Sequence, residues 1–312
     1  MALNFIPTNT NINFIKARFI FFFISLTIIL GSLGFMFFKG LNYGVDFKGG
    51  LLVSIRTPEN IKIGDLRKTL SNLNIGEISL QEIGSPRDIQ MKIENQGEET
   101  NQQNTVLTKI KTALGPKIEY RTIDTVGPKV GQELIYNAIK AVVWALIAML
   151  AYVWIRFEWQ FALGAIIAII HDCLSIIGMY GLMQFEFNTT AIMAILVTAG
   201  YSINDTIVIF DRIRENLVKY KKMPFAELIN KSMNETLSRT ILTSTTTLIA
   251  MFGLYFFGGE IIATYSLPII VGIMVGTYSS ICFAAPLLLY LGFKRDSSRN
   301  EKPKEGALNE SV

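Results

Sequence analysis

The chain has few of the side chains from which metal centres and most enzymes are built. Histidine occurs once, at His171, and cysteine twice, at Cys173 and Cys282, among 312 residues. Both cysteines stand in apolar runs without metal-ligand spacing and read as small buried residues. No glycine-rich phosphate loop with its lysine occurs, which removes a nucleotide-driven motor, and Gly49-Gly50 reads as a turn. No nucleophile–base pair is recognisable, so the chain is not expected to be an enzyme or to carry a cofactor or metal. Charged residues make up only 17%, against about 25% in ordinary soluble domains. The net charge of +4 is small and dispersed, which argues against nucleic acid as a partner.

What the chain has instead is apolar sequence, 50% of it, in several runs of about 20 residues, the length that crosses a bilayer. Phe19 to Phe38 is the first. Lys16 and Arg18 precede it, it is too long for a signal-peptide core, and no small-x-small cleavage site follows, so it reads as an uncleaved span. Residues 1–18 are then expected in the cytoplasm. Residues 39–133 form a polar domain. Leu51–Arg56 reads as a strand, Ile63–Leu73 as a helix, Glu77–Ile83 and Asp88–Glu94 as alternating strands, Thr105–Leu114 as a helix with one apolar stripe, and Ile118–Val126 as a last strand. Gly84-Ser85-Pro86 supplies a turn, and Gly97–Asn104 a polar loop. The order βαββαβ is that of a ferredoxin-like fold.

Residues 134–293 return to the membrane. Ala138–Ile155, Phe161–Met183, Thr189–Phe210 and Ile241–Phe257 are expected spans. The apolar stretch 261–293 is too long for one span and too short for two; it reads as one tilted helix, Pro268–Leu291, behind an interfacial lead-in. The loop 211–240 is the most basic segment, with Arg212, Arg214, Lys219, Lys221, Lys222, Lys231 and Arg239, and is placed in the cytoplasm by the positive-inside rule, the fourth helix being expected to run on through Asp211–Asn216 before it. The tail 294–312 is polar and expected to be cytoplasmic and without fixed structure. The fold class is thus a polytopic α-helical membrane protein of six transmembrane helices, both termini cytoplasmic, with a small α+β periplasmic domain after the first span.

One acid stands inside a span. Asp205 in the fourth run costs about 2.5–3.5 kcal/mol on insertion scales, and such residues are functional candidates by default. Thr198, Ser202, Asp205 and Thr206 recur at helical spacing and form a polar stripe, with Tyr201 beside it and Asn204 as a further supporting candidate. Asp205 falls roughly 8 Å from the cytoplasmic end of its run. Arg239 precedes the fifth span, on a face continued by Thr243 and Thr246 in a hydroxyl-rich sequence. The two can pair as a proton-sensitive switch. The plainer alternatives are a fixed buried ion pair for Asp205 and a topology anchor for Arg239. His171-Asp172 in the third span is either a proton relay or, the favoured reading, a satisfied polar pair. Gly272 and Gly276 form a G-x-x-x-G that permits close helix packing.

Five motifs carry a resemblance: NYGVDFKGG at Asn42–Gly50, VGPKVGQEL at Val126–Leu134, YSINDTIVIFDRIREN at Tyr201–Asn216, NETLSRTILTSTTTL at Asn234–Leu248 and VGTYSSICFAAPLLL at Val275–Leu289. In this order, over nearly the whole chain, they resemble the SecF family, the smaller membrane subunits of the bacterial SecDF protein-export complex within the resistance-nodulation-division transporters. An isoleucine-containing variant of the first motif is the expected form, a minor departure. The resemblance implies an inner-membrane subunit that pairs with SecD, works with the SecYEG channel and YajC, and uses the proton gradient to draw an exported, unfolded polypeptide outward after the ATP-driven step. It implies that Asp205 carries protons and that Arg239 is coupled to it. The alternatives are half of a small-molecule or lipid exporter, and a scaffold with no proton role. An open strand edge that binds peptide is a further possibility for the polar domain.

Overall fold

The computed structural model describes residues 10–76, 78–83, 85–94 and 100–292. The segment 97–99 of the expected polar loop, Gly84 of the expected turn and the tail 294–312 lie outside them. Six helices are long and apolar enough to cross a membrane. They are α1 (Arg18–Phe38), α5 (Pro128–Arg156), α6 (Trp159–Met183), α7 (Thr189–Lys219), α8 (Phe225–Phe257) and a sixth made of α9 (Gly259–Tyr278), a π turn (Ser279–Ala284) and α10 (Ala285–Leu287). Of the candidate spanning windows, 61% of α6 is buried against 6% of α5. The centre of the bundle is therefore α6, α7 and the sixth helix. Phe161, Phe210, Ala165, Ala199 and Ala284 lie in its core.

Two expectations change here. The stretch 211–240 is not a loop. α7 runs on to Lys219 and α8 begins at Phe225, so the basic residues decorate a helical hairpin whose connection is only Tyr220–Pro224. Its charges pair along and across helices, Arg212 with Glu215 at 2.8 Å and Glu235 at 2.6 Å, while Leu228, Ile229 and Met233 bury a stripe beneath them. The sixth helix needs no interfacial lead-in, because Pro268 lies within α9. Further on, Pro286 has no N–H to give to the preceding turn, and the π turn Ser279–Ala284 stands just before it.

Between α1 and α5 lies the polar domain. Its strands are β2 (Gly50–Arg56), β3 (Ile78–Ile83), β4 (Ser85–Glu94) and β5 (Glu119–Val126), and its helices α3 (Ile63–Ser71) and α4 (Thr100–Leu114). Ser85 and Pro86, expected in a turn, belong to β4. The sheet order is β3-β4-β2-β5, every neighbour antiparallel. Alternation puts Val53 opposite Met91 and Ile55 opposite Ile89, and these side chains bury against Leu66, Leu70 and Ile110 of the helices. Two short elements were not anticipated from the sequence. β1 (Asn42–Tyr43) pairs in parallel with β6 (Glu186–Phe187), and α2 (Val45–Lys48) makes one turn before β2. They bring the start of the polar domain against the α6–α7 connection.

Candidate functional site

Thr198, Ser202, Asp205 and Thr206 are all buried on the inward face of α7. The spacing of four and three residues turns them toward the sixth helix and α8. Asp205 is 2% exposed, and its Oδ2 has no hydrogen-bond partner among the described residues. From α8, the hydroxyls of Thr243 and Ser244 and the guanidinium of Arg239 act on this carboxylate. Ser244 in turn meets Thr277 of the sixth helix, Oγ to Oγ1 at 2.7 Å. No ion pair joins Asp205 to Arg239 among the described residues, and Arg239 is largely exposed. The arginine thus lies near the acid without closing on it.

The other predicted residues divide. Asn204 is exposed on the outer side of α7 and does not join the stripe. Thr246 is also exposed, and its hydroxyl donates to the Leu242 and Thr243 carbonyls of its own helix at 3.0 and 2.9 Å. Thr198 is wholly buried with an unpartnered hydroxyl, packed where Gly272 leaves no room for a Cβ. Ser202 does not face Asp205. Its hydroxyl donates to Asp172 Oδ2 on α6.

Asp172 thereby becomes the centre of a second cluster. His171 Nδ1 stands 2.9 Å from Oδ1, and Ser279 of the π turn donates to Oδ2 at 2.8 Å. His171, Asp172, Ser202 and Ser279 are all completely buried. The His171 ring stacks on Phe283, and its Nε2 has no partner. Ser280 extends the cluster, 2.9 Å from the Thr206 hydroxyl and 3.1 Å from the Ser202 carbonyl. Hydroxyls therefore run from Asp172 across the π turn to Thr206, the neighbour of Asp205. Ser279 and Ser280 escaped the sequence reading, because serine in an apolar helix normally bonds its own preceding turn; the Ser279-Ser280 pair one turn after Gly276 was the available signal. Among the described residues no group of three His, Cys, Asp or Glu could hold a metal. Chemically, the arrangement offers two carboxylates in a buried, hydroxyl-lined core, one fully bonded and one with an oxygen that has no partner among the described residues.

Known proteins resemble the chain over most of its length. The profile of "Protein export membrane protein SecD/SecF, C-terminal" matches residues 106–294, and that of the "SecD/SecF GG Motif" matches residues 34–57. The protein translocase subunit SecF of Rhodobacter capsulatus is 36% identical, over 96% of this chain and 94% of that protein. The SecF of Cereibacter sphaeroides is 41% identical, over 96% and 95%. Among solved structures, SecDF of Thermus thermophilus aligns with a TM-score of 0.78 at 36% identity, covering 93% of this chain and 39% of that one. A super-membrane-facing form of SecDF aligns with a TM-score of 0.69 at 35% identity, covering 90% and 39%. This chain thus spans about two fifths of those longer chains. With six membrane-spanning helices and these matches over most of its length, the chain is a multi-pass membrane protein and belongs to the SecD/SecF family of protein export membrane proteins.

Proposed function

We propose that the chain is the SecF-type subunit of a proton-driven export machine, working beside a SecD subunit and the SecYEG channel, with YajC as an accessory, on an unfolded polypeptide that is leaving the cell. It performs no covalent chemistry. It resides in the inner membrane with both termini in the cytoplasm. The orientation is supported by basic residues gathered at one end of the bundle, Lys16, Arg18, Arg156 and the α7–α8 hairpin. The domain between α1 and α5 then faces the periplasm, and its strand order is read as ferredoxin-like.

The observation that carries the reading is the buried carboxylate of Asp205, with one unpartnered oxygen, between α7 and α8. A proton removes the cost of that charge, and the bias from Arg239 changes with it. One charge crossing roughly 150–200 mV gains about 3.5–4.6 kcal/mol. Reversing a 1:99 equilibrium takes about 5.5 kcal/mol. A single proton falls short and two suffice, which fits one intramembrane acid on each of two subunits.

The test is Asp205→Asn in proteoliposomes holding this chain, its SecD partner and the channel. The gradient-stimulated part of export is expected to vanish while ATP-driven export continues. Near-normal stimulation in that variant would sink the proton role and favour a scaffold.

A further inference from the structure

The GG-motif segment, residues 34–57, contains a joint whose role nothing so far accounts for. Asp46 of α2 places Oδ2 on the first residue of α7, accepting from the Thr189 amide at 3.2 Å and its hydroxyl at 2.9 Å. Asn188 takes the next two amides, those of Thr190 at 3.1 Å and Ala191 at 3.3 Å. The N-terminus of α7 is thus capped from two sides, and one of the caps comes from a segment more than 140 residues away in sequence.

Nothing around the joint is slack. The Gly44 amide donates to Phe187 O at 2.9 Å, and a Cβ at Gly44 would stand 2.9 Å from the Glu186 side chain. A Cβ at Gly131 of α5 would stand 2.6 Å from the Phe47 carbonyl. Phe47 is buried and packs on Tyr43 and Phe187. Lys92 of β4 meets Glu186 of β6 at 2.6 Å, both side chains mostly covered. α2 then passes through Gly49, at φ 81°, straight into β2, whose first residue, Gly50, has no room for a side chain against Ile93 O and Val45. β2 lies between β4 and β5, so what moves it moves the sheet. About halfway along the same helix stands Asp205, 16 residues from Thr189, or about 24 Å along the axis.

We infer that Asp46 is a positioning residue that couples the two halves of the molecule. Its carboxylate fastens the soluble domain to the outer end of the helix carrying Asp205, so a shift of α7 is delivered to β2 as a rigid-body movement of the sheet. This rests on the proton-driven reading above, and the experiment separates the two.

Proteoliposomes holding the full chain, its SecD partner and the channel are assayed twice, for acid-driven proton entry and for gradient-stimulated export. Asp46→Ala is expected to keep proton entry within about twofold and to lower stimulated export about tenfold, the factor that loss of a strong cap can produce. Asp46→Asn, which keeps an acceptor oxygen on Thr189, is expected to restore most of it. Spin labels at Lys68 of α3 and Met193 of α7 give an independent reading: one narrow distance in the unsubstituted chain and in Asp46→Asn, a broad one in Asp46→Ala. Unchanged export in Asp46→Ala, or a parallel loss of proton entry and export, overturns the coupling role. If Asp205→Asn leaves both quantities unaltered, the proton reading itself falls and takes the coupling role with it.

Discussion

At the level of single residues, the contrast is between two buried acids that the sequence presents alike. Asp172 has a histidine and two serine hydroxyls on its oxygens, whereas Asp205 keeps an oxygen without a partner. A carboxylate so fully bonded is held in place, and removing it strands three polar groups from three helices. Asp172→Ala is therefore expected to destabilise the protein by about 3–5 kcal/mol, seen as a lowered unfolding temperature in mild detergent. Asp172→Asn, which keeps acceptor capacity, is expected to retain most gradient-stimulated export. Loss of stimulation in a stable Asp172→Asn protein would make the cluster a proton path instead. Asp205 was legible in the sequence because an acid interrupts an apolar run. The expected pairing with Arg239 is not seen among the described residues. Spacing fixes the level of a residue along a helix and roughly its face, but not whether a long side chain turns inward, and Arg239 does not.

Elements were legible where composition alone decides them. Six apolar runs became six helices, since a chain in hydrocarbon must satisfy its backbone internally. Charge count misled at 211–240, where the stripe Leu228, Ile229 and Met233 outweighs the solvated face. The two-residue β1 and β6 were not legible, being too short to show a period. The G-x-x-x-G of the sixth helix was readable as packing, and the structure supplies its counterpart. Gly272 faces Thr198 and Gly276 faces Ser202, so the polar stripe of α7 lies against a smooth strip of backbone. Any side chain at 272 meets Thr198 well inside van der Waals contact. Gly272→Val is expected to cost about 1–3 kcal/mol through overpacking, read as a lower unfolding temperature and a smaller yield of assembled protein. Gly253→Ala on α8 is the control. A Cβ there meets nothing, and the exchange is expected to be neutral or to stabilise slightly, by up to about 1 kcal/mol.

At the scale of the whole molecule, burial is lopsided. The windows of α6, α7 and the sixth helix are 50–61% buried, those of α1, α5 and α8 only 6–11%. Lipid can cover α5, whose exposed side chains include Val143, Trp144, Ile147 and Trp154. The outer side of α7 and α8 is different, for Asn204, Arg239 and Thr246 are exposed there within or beside the spans. A guanidinium and an amide turned toward hydrocarbon are costly unless they meet protein or water. That side is thus the one a second set of helices should cover, and Asp205 lies one helix face behind it. With Cys173 and Cys282 changed to serine, a cysteine at Asn204 is expected to form a disulfide with a partner cysteine on the SecD helix that faces it, in membranes, under mild oxidation. A cysteine at Trp144 is expected to react with a lipid-soluble maleimide instead and to give no cross-link to the partner. The reverse pattern would put lipid on the polar side and the partner on α5, leaving Arg239 without a reason to lie where it does.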